Sequence, residues 1–223
     1  MTAPVALIVG AGPGISGAFA ARLVARGYAV ALAARHLSQL EPLATSLNGR
    51  AYAVEAGSAV DVAALFSAVE QDLGAPEVVL FNAGALLPGA ITELNVEAVG
   101  KTLQTQAMGA FAVAQEAARR MLPRGRGALF FTGATASVKG FARFSAFAMG
   151  KFAVRGLAQS LARELAPQGI HVAHFVIDGV VSEGQGVQHF TADNIAASYL
   201  AVLDQPPGAW SWEIELRSHT ESF

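Results

Sequence analysis

At 223 residues, 53% hydrophobic and 14% charged, the chain has the length of one α/β domain with a sizeable core. A net charge of −2 without long runs of one sign argues against a nucleic-acid partner, and the lack of cysteine excludes disulfides, thiolate metal sites and a cysteine nucleophile; no metal site is expected. No apolar stretch reaches membrane-span length without Gly, Pro or charge, and residues 1–10 carry no basic segment, so the expectation is a cytoplasmic protein with no membrane partner and no secretory signal.

In chain order, short apolar runs alternate with longer helical stretches. Residues 5–9 read as a buried strand and 14–26 as a helix. Strands follow at 29–33 and 51–54, with helices at 37–47 and about 60–73. A fourth strand at 78–81 precedes a long helix over 96–121, and a fifth at 128–132 precedes another over 144–166. A sixth strand is expected at 171–177, a helix at 194–203 and an alternating edge strand at 212–216. The strands are continuous runs of Val, Ala, Leu and Phe, as strands covered on both faces are. The alternation predicts an α/β class and a single Rossmann-type domain over residues 1–223: a doubly wound parallel sheet with helices on both faces.

The first strand runs into Gly10-Ala11-Gly12-Pro13-Gly14-Ile15-Ser16-Gly17. Glycines there permit a tight turn and let backbone N–H groups approach a pyrophosphate, and the following helix points its positive end at the same place. Gly-rich strings also merely connect elements. The position between the first strand and a helix is what makes this one informative. After the second strand, an NAD site usually carries an acid that bonds the ribose hydroxyls. Here the chain reads Ala33-Ala34-Arg35-His36. A solvated surface Arg is the plain reading of Arg35, but a forked guanidinium also suits a 2′-phosphate. With the acid missing, NADP(H) is favoured over NAD(H).

These features resemble the short-chain dehydrogenase/reductase family over nearly the whole chain. The opening turn resembles the family's TGxxxGxG, with Val9 for Thr and Ser16 for the last Gly. Phe81-Asn82-Ala83-Gly84 resembles the NNAG motif, which supports the sheet centre and lines the adenosine path. Glu55 stands where the family often has Asp near the adenine. Ile177-Asp178-Gly179-Val180-Val181 resembles the Pro-Gly turn after strand six, with Asp178 for Pro. The resemblance implies cofactor contacts from Gly10, Gly12, Gly14, Ile15, Arg35, Glu55, Asn82, Ala83, Gly84, Lys151, Gly179 and Val181, with backbone near Val181 meeting the nicotinamide amide.

The family's chemistry rests on Asn, Ser, Tyr and Lys, the last two forming YxxxK. In this chain that string is Phe147-Ala148-Met149-Gly150-Lys151. The Ser position falls on Ala134, after Gly133, and the Asn position on Gln106, three residues before Gly109. Only Lys151 is unchanged. The resemblance therefore implies a divergent site with Lys151, Gln106 and Thr135 as its candidate catalytic residues. A Tyr seven residues before the Lys, as in the enoyl-reductase branch, is also missing, since Phe144 stands there. Tyr28, Tyr52 and Tyr199 fall in elements expected to be remote. Thr135, Ser137 and Ser145 are weak substitute acids, whereas Lys151 can give a proton if burial lowers its pKa. Lys139 and Arg143 read as surface charges.

The stretch from Val181 to about Asn194 is a short lid in the resemblance, and its Ser182, Glu183, Gly184, Gln185 and Gly186 read as a polar loop; His189 reads as a solvated loop residue. One of Trp210 and Trp212 is expected in the core. Phe111, Val113, Phe152, Val154 and Leu161 make the two long helices apolar on more than one face, so a homodimer or homotetramer is expected. Two functions stand open: an NADP(H)-dependent oxidoreductase with an unusual proton path and an unknown small-molecule substrate, or a cofactor-binding sensor or scaffold without turnover.

Overall fold

The computed structural model describes residues 3–181 and 189–219. The elements are β1 (Val5–Val9), α1 (Ile15–Ala25), β2 (Ala29–Ala34), α2 (Leu37–Ser46), β3 (Arg50–Ala53), α3 (Ala59–Asp72) and β4 (Val78–Phe81). Then come α4 (Val96–Leu103), α5 (Gly109–Met121), β5 (Gly127–Thr132), α6 (Ser145–Leu165) and β6 (Ile170–Asp178). The chain closes with β7 (Val180–Val181), β8 (His189–Phe190), α7 (Ala192–Leu203) and β9 (Glu213–Arg217).

Seven strands form one parallel sheet in the order β3-β2-β1-β4-β5-β6-β9. The chain winds outward from β1 in one direction and then, from β4, in the other. The crevice beyond the carboxyl ends of β1 and β4 is therefore the topological switch point, where α/β sheets bind ligands. Val5, Leu7 and Val9 face a core shared with α3, α5 and α6, while Ala6 and Ile8 face a core shared with α1, α2 and α7. Each fully buried Leu, Ile or Phe contributes about 1.5–3 kcal/mol, which is why both faces of β1 and β4 must be apolar.

The doubly wound sheet expected from the sequence is present, with β9 at its edge. Two elements differ. The helix expected over 96–121 is broken by a π turn, Gln104–Met108, between α4 and α5. Its extra residue per turn sets Gln106 inward and brings Gly109 against the Ala56 carbonyl, 2.6 Å from where a Cβ would lie. The apolar period continues through it, so periodicity alone reads one helix. The other difference is the short parallel pairing of β7 with β8, Val180 to His189 and Val181 to Phe190, where a loop was expected. Ser182, Glu183, Gly184, Gln185 and Gly186 lie outside the described residues, as does the side chain of His189. Both tryptophans are half-buried: Trp212 packs on the core beneath Arg163, and Trp210 stacks on His171 at 4.8 Å. Among the described residues, no helix is long and apolar enough to cross a membrane.

Candidate active site

At the end of β1 the backbone turns at Gly10 with φ +83°. A Cβ there would fall 2.3 Å from the Ala83 nitrogen, so the glycine lets two loops touch. Asn82 ties them together. Its Nδ2 donates to the Gly10 carbonyl at 2.9 Å and its N–H to the Val9 carbonyl at 2.8 Å. Gly12 and Gly14 differ from Gly10, since among the described residues nothing beyond their chain neighbours lies within 4 Å of either one's Cβ position. Their open side fits a ligand that approaches the backbone. Gly12 N–H donates to Ser16 Oγ at 3.0 Å, which gives Ser16 a role where the family has Gly.

Side chains of Ser58, Asn95 and Thr191 cap α3, α4 and α7. Among the described residues no side chain caps α1, which starts at the half-buried Ile15. Its first N–H groups and its dipole remain for an anion.

A cleft of about 300 Å³ runs from this turn over the carboxyl ends of β2, β3 and β4. Its walls are Gly10 to Pro13, then Ala34, Arg35 and His36, then Val54, Glu55 and Ala56, then Asn82, Ala83 and Gly84. Arg35 is exposed there and makes no ion pair among the described residues. Glu55 Oε1 accepts from Gly57 N–H at 3.2 Å. Gln39, Leu40 and Thr105 complete the wall. Sequence reasoning missed them because α2 and the π turn carry no motif and only tertiary packing brings them in.

Lys151 of α6 lies directly behind Gly84 of the cleft wall. It is 6% exposed, and its Nζ donates to the Thr132 carbonyl at 2.8 Å. Gly84 leaves room for it, a Cβ there falling 4.0 Å from Nζ. Burial pushes the Lys151 ammonium down to about 8, into the range of an acid usable near neutrality. The Phe147 ring, at the family's Tyr position, lies 5.7 Å from Nζ and is half-buried.

Gln106 is fully buried in the π turn. Its Nε2 donates to the Ala85 carbonyl at 2.5 Å, while Oε1 has no partner among the described residues and faces Gly150. Any Cβ at Gly150 would fall 2.3 Å from Oε1, so the glycine of α6 and the glutamine fit each other. Thr135 opens the short 3₁₀ turn Thr135–Ser137 and is half-buried. Ser137 is fully buried, with its Oγ accepting from Ala134 N–H at 3.1 Å. Ala134 is half-buried. Gly133 is required by His174, whose Nε2 would sit 2.4 Å from a Cβ there. His174 Nδ1 is 3.1 Å from Glu213 Oε2, and burial pushes this imidazole down to about 4.

One sequence expectation needs correction. Tyr199 is not remote from the Lys151 anchor: its hydroxyl donates to Thr132 Oγ1 at 3.0 Å. It does so from the α1/α7 face of the sheet, fully buried against Phe175, and burial pushes its phenol above the ordinary range. It therefore holds Thr132 from behind and is not placed as a proton donor in the cleft. Tyr28 and Tyr52 lie elsewhere, Tyr52 bonded to Asp72. Beyond β6, Gly179 has φ +153°, and Val181 of β7 is half-buried against the α1/α7 core. Asp178, in place of the family's Pro, is buried and paired with Arg217 of β9. Neither Gly179 nor Val181 lines the cleft.

Residues 4–189 match the family model for short chain dehydrogenases. The 3-oxoacyl-[acyl-carrier-protein] reductase MabA of Mycobacterium bovis is 34% identical over 175 residues, which cover 78% of this chain and 68% of that one. A solved short-chain dehydrogenase from Rhodopseudomonas palustris superposes with a TM-score of 0.86 at 34% identity, over 96% of this chain and 98% of that one. An alcohol dehydrogenase from Thermococcus sibiricus, complexed with 5-hydroxy-NADP, shares the fold with a TM-score of 0.87 at 24% identity over 98% of both chains. The glycine turn, the Asn82 clamp and the buried Lys151 thus belong to a chain that is a member of the short-chain dehydrogenase/reductase family.

Proposed function

We propose that the protein is an NADP(H)-dependent oxidoreductase that lacks the family's usual proton donor. One observation carries the cofactor part: Arg35 stands exposed in the cleft wall, at the end of β2 where an NAD site would place an acid, and makes no ion pair among the described residues. A guanidinium so placed suits a 2′-phosphate. The open sides of Gly12 and Gly14 and the uncapped α1 fit the pyrophosphate. A bound nicotinamide gives or takes a hydride. This chain's residues must then handle the proton, and Phe147 and Ala134 offer neither an acid nor a hydroxyl. Among the described residues, Lys151, buried and lowered to about 8, is the group placed to hold or release it.

The same two residues favour a second reading, a dinucleotide-binding protein without turnover. Assay of NADPH oxidation with a panel of carbonyl acceptors separates the readings. Turnover that falls in Lys151→Ala supports the enzyme. NADPH binding with no turnover on any acceptor supports the binder.

The reading includes a homodimer or a dimer of dimers. Met108 and Phe111, from the π turn and α5, are 53% and 48% exposed, and Met149 and Phe152 of α6 are 53% and 44% exposed. Val113 and Val154, on the opposite faces of the same helices, are buried in the core. These helices are apolar on two sides, and a second copy supports cover for the outer one.

A further inference from the structure

Three phenylalanines precede Lys151 in the chain, each with part of its surface open to solvent. Phe141 is 44% exposed, and Phe144 and Phe147 are half-buried. They follow one another at three-residue spacing, Phe144 at the N-cap of α6 and Phe147 in its first turn. An ammonium stands at each end of the run: Lys139 Nζ lies 5.4 Å from the Phe141 ring and Lys151 Nζ lies 5.7 Å from the Phe147 ring. Rings needed only as core would be covered. Flat faces that reach solvent suit a flat guest, and flanking cations suit an anionic one.

The inventory of acids narrows the guest further. Tyr199 is on the other face of the sheet, Tyr52 is bonded to Asp72, and Ser137 is fully buried and bonded to Ala134 N–H. Thr135 is an aliphatic alcohol. Among the described residues this leaves the Lys151 ammonium, and until it delivers its proton, reduction of an aliphatic ketone builds up an alkoxide, whose conjugate acid is about as weak as water at roughly 16. A phenol ionises near about 10. The anion formed from a quinone is thus favoured by about six powers of ten over the alkoxide, before any help from the protein.

We propose that the substrate of this site is a quinone, a flat acceptor whose reduced form arises as a phenolate beside Lys151. The proposal rests on the reading of the cleft as a nicotinamide dinucleotide site. The two-electron step balances as follows. The C4–H bond of NADPH breaks, and its hydrogen and electron pair form an O–H bond at one quinone oxygen. The ring becomes aromatic and the other oxygen carries the displaced pair as phenolate. That oxygen takes one proton from the Lys151 ammonium, which water re-protonates. NADPH is oxidised and the quinone reduced to hydroquinone. Phe144 and Phe147 bind and orient the ring, and Lys151 stabilises the oxyanion.

The test uses 4-nitrophenol, whose phenolate absorbs visible light, with the full chain, alone and saturated with NADP⁺. The expected result is binding with the probe's ionisation shifted to lower pH, the phenolate held about tenfold more tightly than the phenol. The shift should vanish in Lys151→Met and persist in Lys151→Arg, and Phe147→Ala should weaken binding about tenfold while NADPH affinity stays within about twofold. In turnover, 1,4-naphthoquinone should outpace cyclohexanone by at least roughly 100-fold. A protein that binds NADPH but neither binds the phenol nor prefers the quinone overturns this proposal and leaves the cofactor reading intact. A phenolate shift unchanged in Lys151→Met overturns the role of Lys151. A protein that fails to bind NADPH overturns the reading beneath both.

Discussion

The ammonium of Lys151 donates to the carbonyl oxygen of Thr132 across 2.8 Å, in the seam between α6 and the end of β5. Burial there lowers its pKa from 10.5 to about 8. Between those two values the unfolded chain holds a proton that the folded chain has released, so folding stability rises with pH through that window. Below about 8 both states are charged, and the desolvation cost is fully felt. At about 1.4 kcal/mol per unit, the whole shift amounts to roughly 3 kcal/mol. Relative to Lys151→Met, the parent should therefore gain about 2 kcal/mol between pH 7.5 and about 9.5 in urea unfolding. A difference independent of pH would place the lysine in water.

Gly10 and Gly12 separate fold from ligand. Gly10 has φ +83° and a Cβ position 2.3 Å from the Ala83 nitrogen. Gly10→Ala should cost about 1–3 kcal/mol of stability even without cofactor. Gly12 has open space at its Cβ position, so Gly12→Ala should leave stability within about 0.5 kcal/mol and weaken dinucleotide binding. Thermal unfolding and a binding titration on both variants check the contrast.

Assembly is read from four side chains. Light scattering of the parent at micromolar concentration should give a dimer or tetramer. Phe111→Glu with Phe152→Glu, both at exposed positions, should shift it towards monomer with little loss of secondary structure. A parent that is already monomeric contradicts the reading.

Phe147 differs from Tyr by one hydroxyl, and its ring is already 5.7 Å from Lys151 Nζ. With an aliphatic ketone, general acid catalysis is worth about 10²–10⁴-fold in rate. Phe147→Tyr alone should recover little, because Ala134 leaves the substrate oxygen unheld. Adding Ala134→Ser should recover more than the product of the two single effects, since groups acting on one oxygen are not additive. Additive single effects would show that the two positions do not share a substrate oxygen.

The sheet and its winding were readable because the strands at 5–9, 78–81 and 128–132 are apolar on both faces, a pattern that only a covered parallel sheet needs. The glycine turn was readable because Gly10 stands between a strand and a helix, and Asn82 because residues 81–84 resemble the family's NNAG. The π turn was not, because Gln104–Met108 carries no Gly or Pro and keeps an apolar period. Thr105 and Gln39 enter the cleft only through that turn and through the packing of α2. Tyr199 was misjudged because its place in α7 is distant along the chain. Only the thickness of one strand separates its hydroxyl from the Lys151 anchor, with Thr132 between them. Conversely, Lys151 was found from the resemblance of residues 147–151 to the family's YxxxK, and its burial then supplied the lowered pKa that a motif cannot show.

Arg35 carries the central claim, that the cleft is an NADP(H) site. Charge-assisted hydrogen bonds to a 2′-phosphate are worth about 1.5–3 kcal/mol, roughly 10- to 100-fold in affinity. The decisive measurement is calorimetric titration of the parent and of Arg35→Asp with NADPH and with NADH. The expected result is parent binding at least about tenfold tighter for NADPH, with the preference lost in Arg35→Asp while NADH affinity is held or improved. Equal affinities of the parent for the two dinucleotides, or a preference for NADPH that survives in Arg35→Asp, would contradict it.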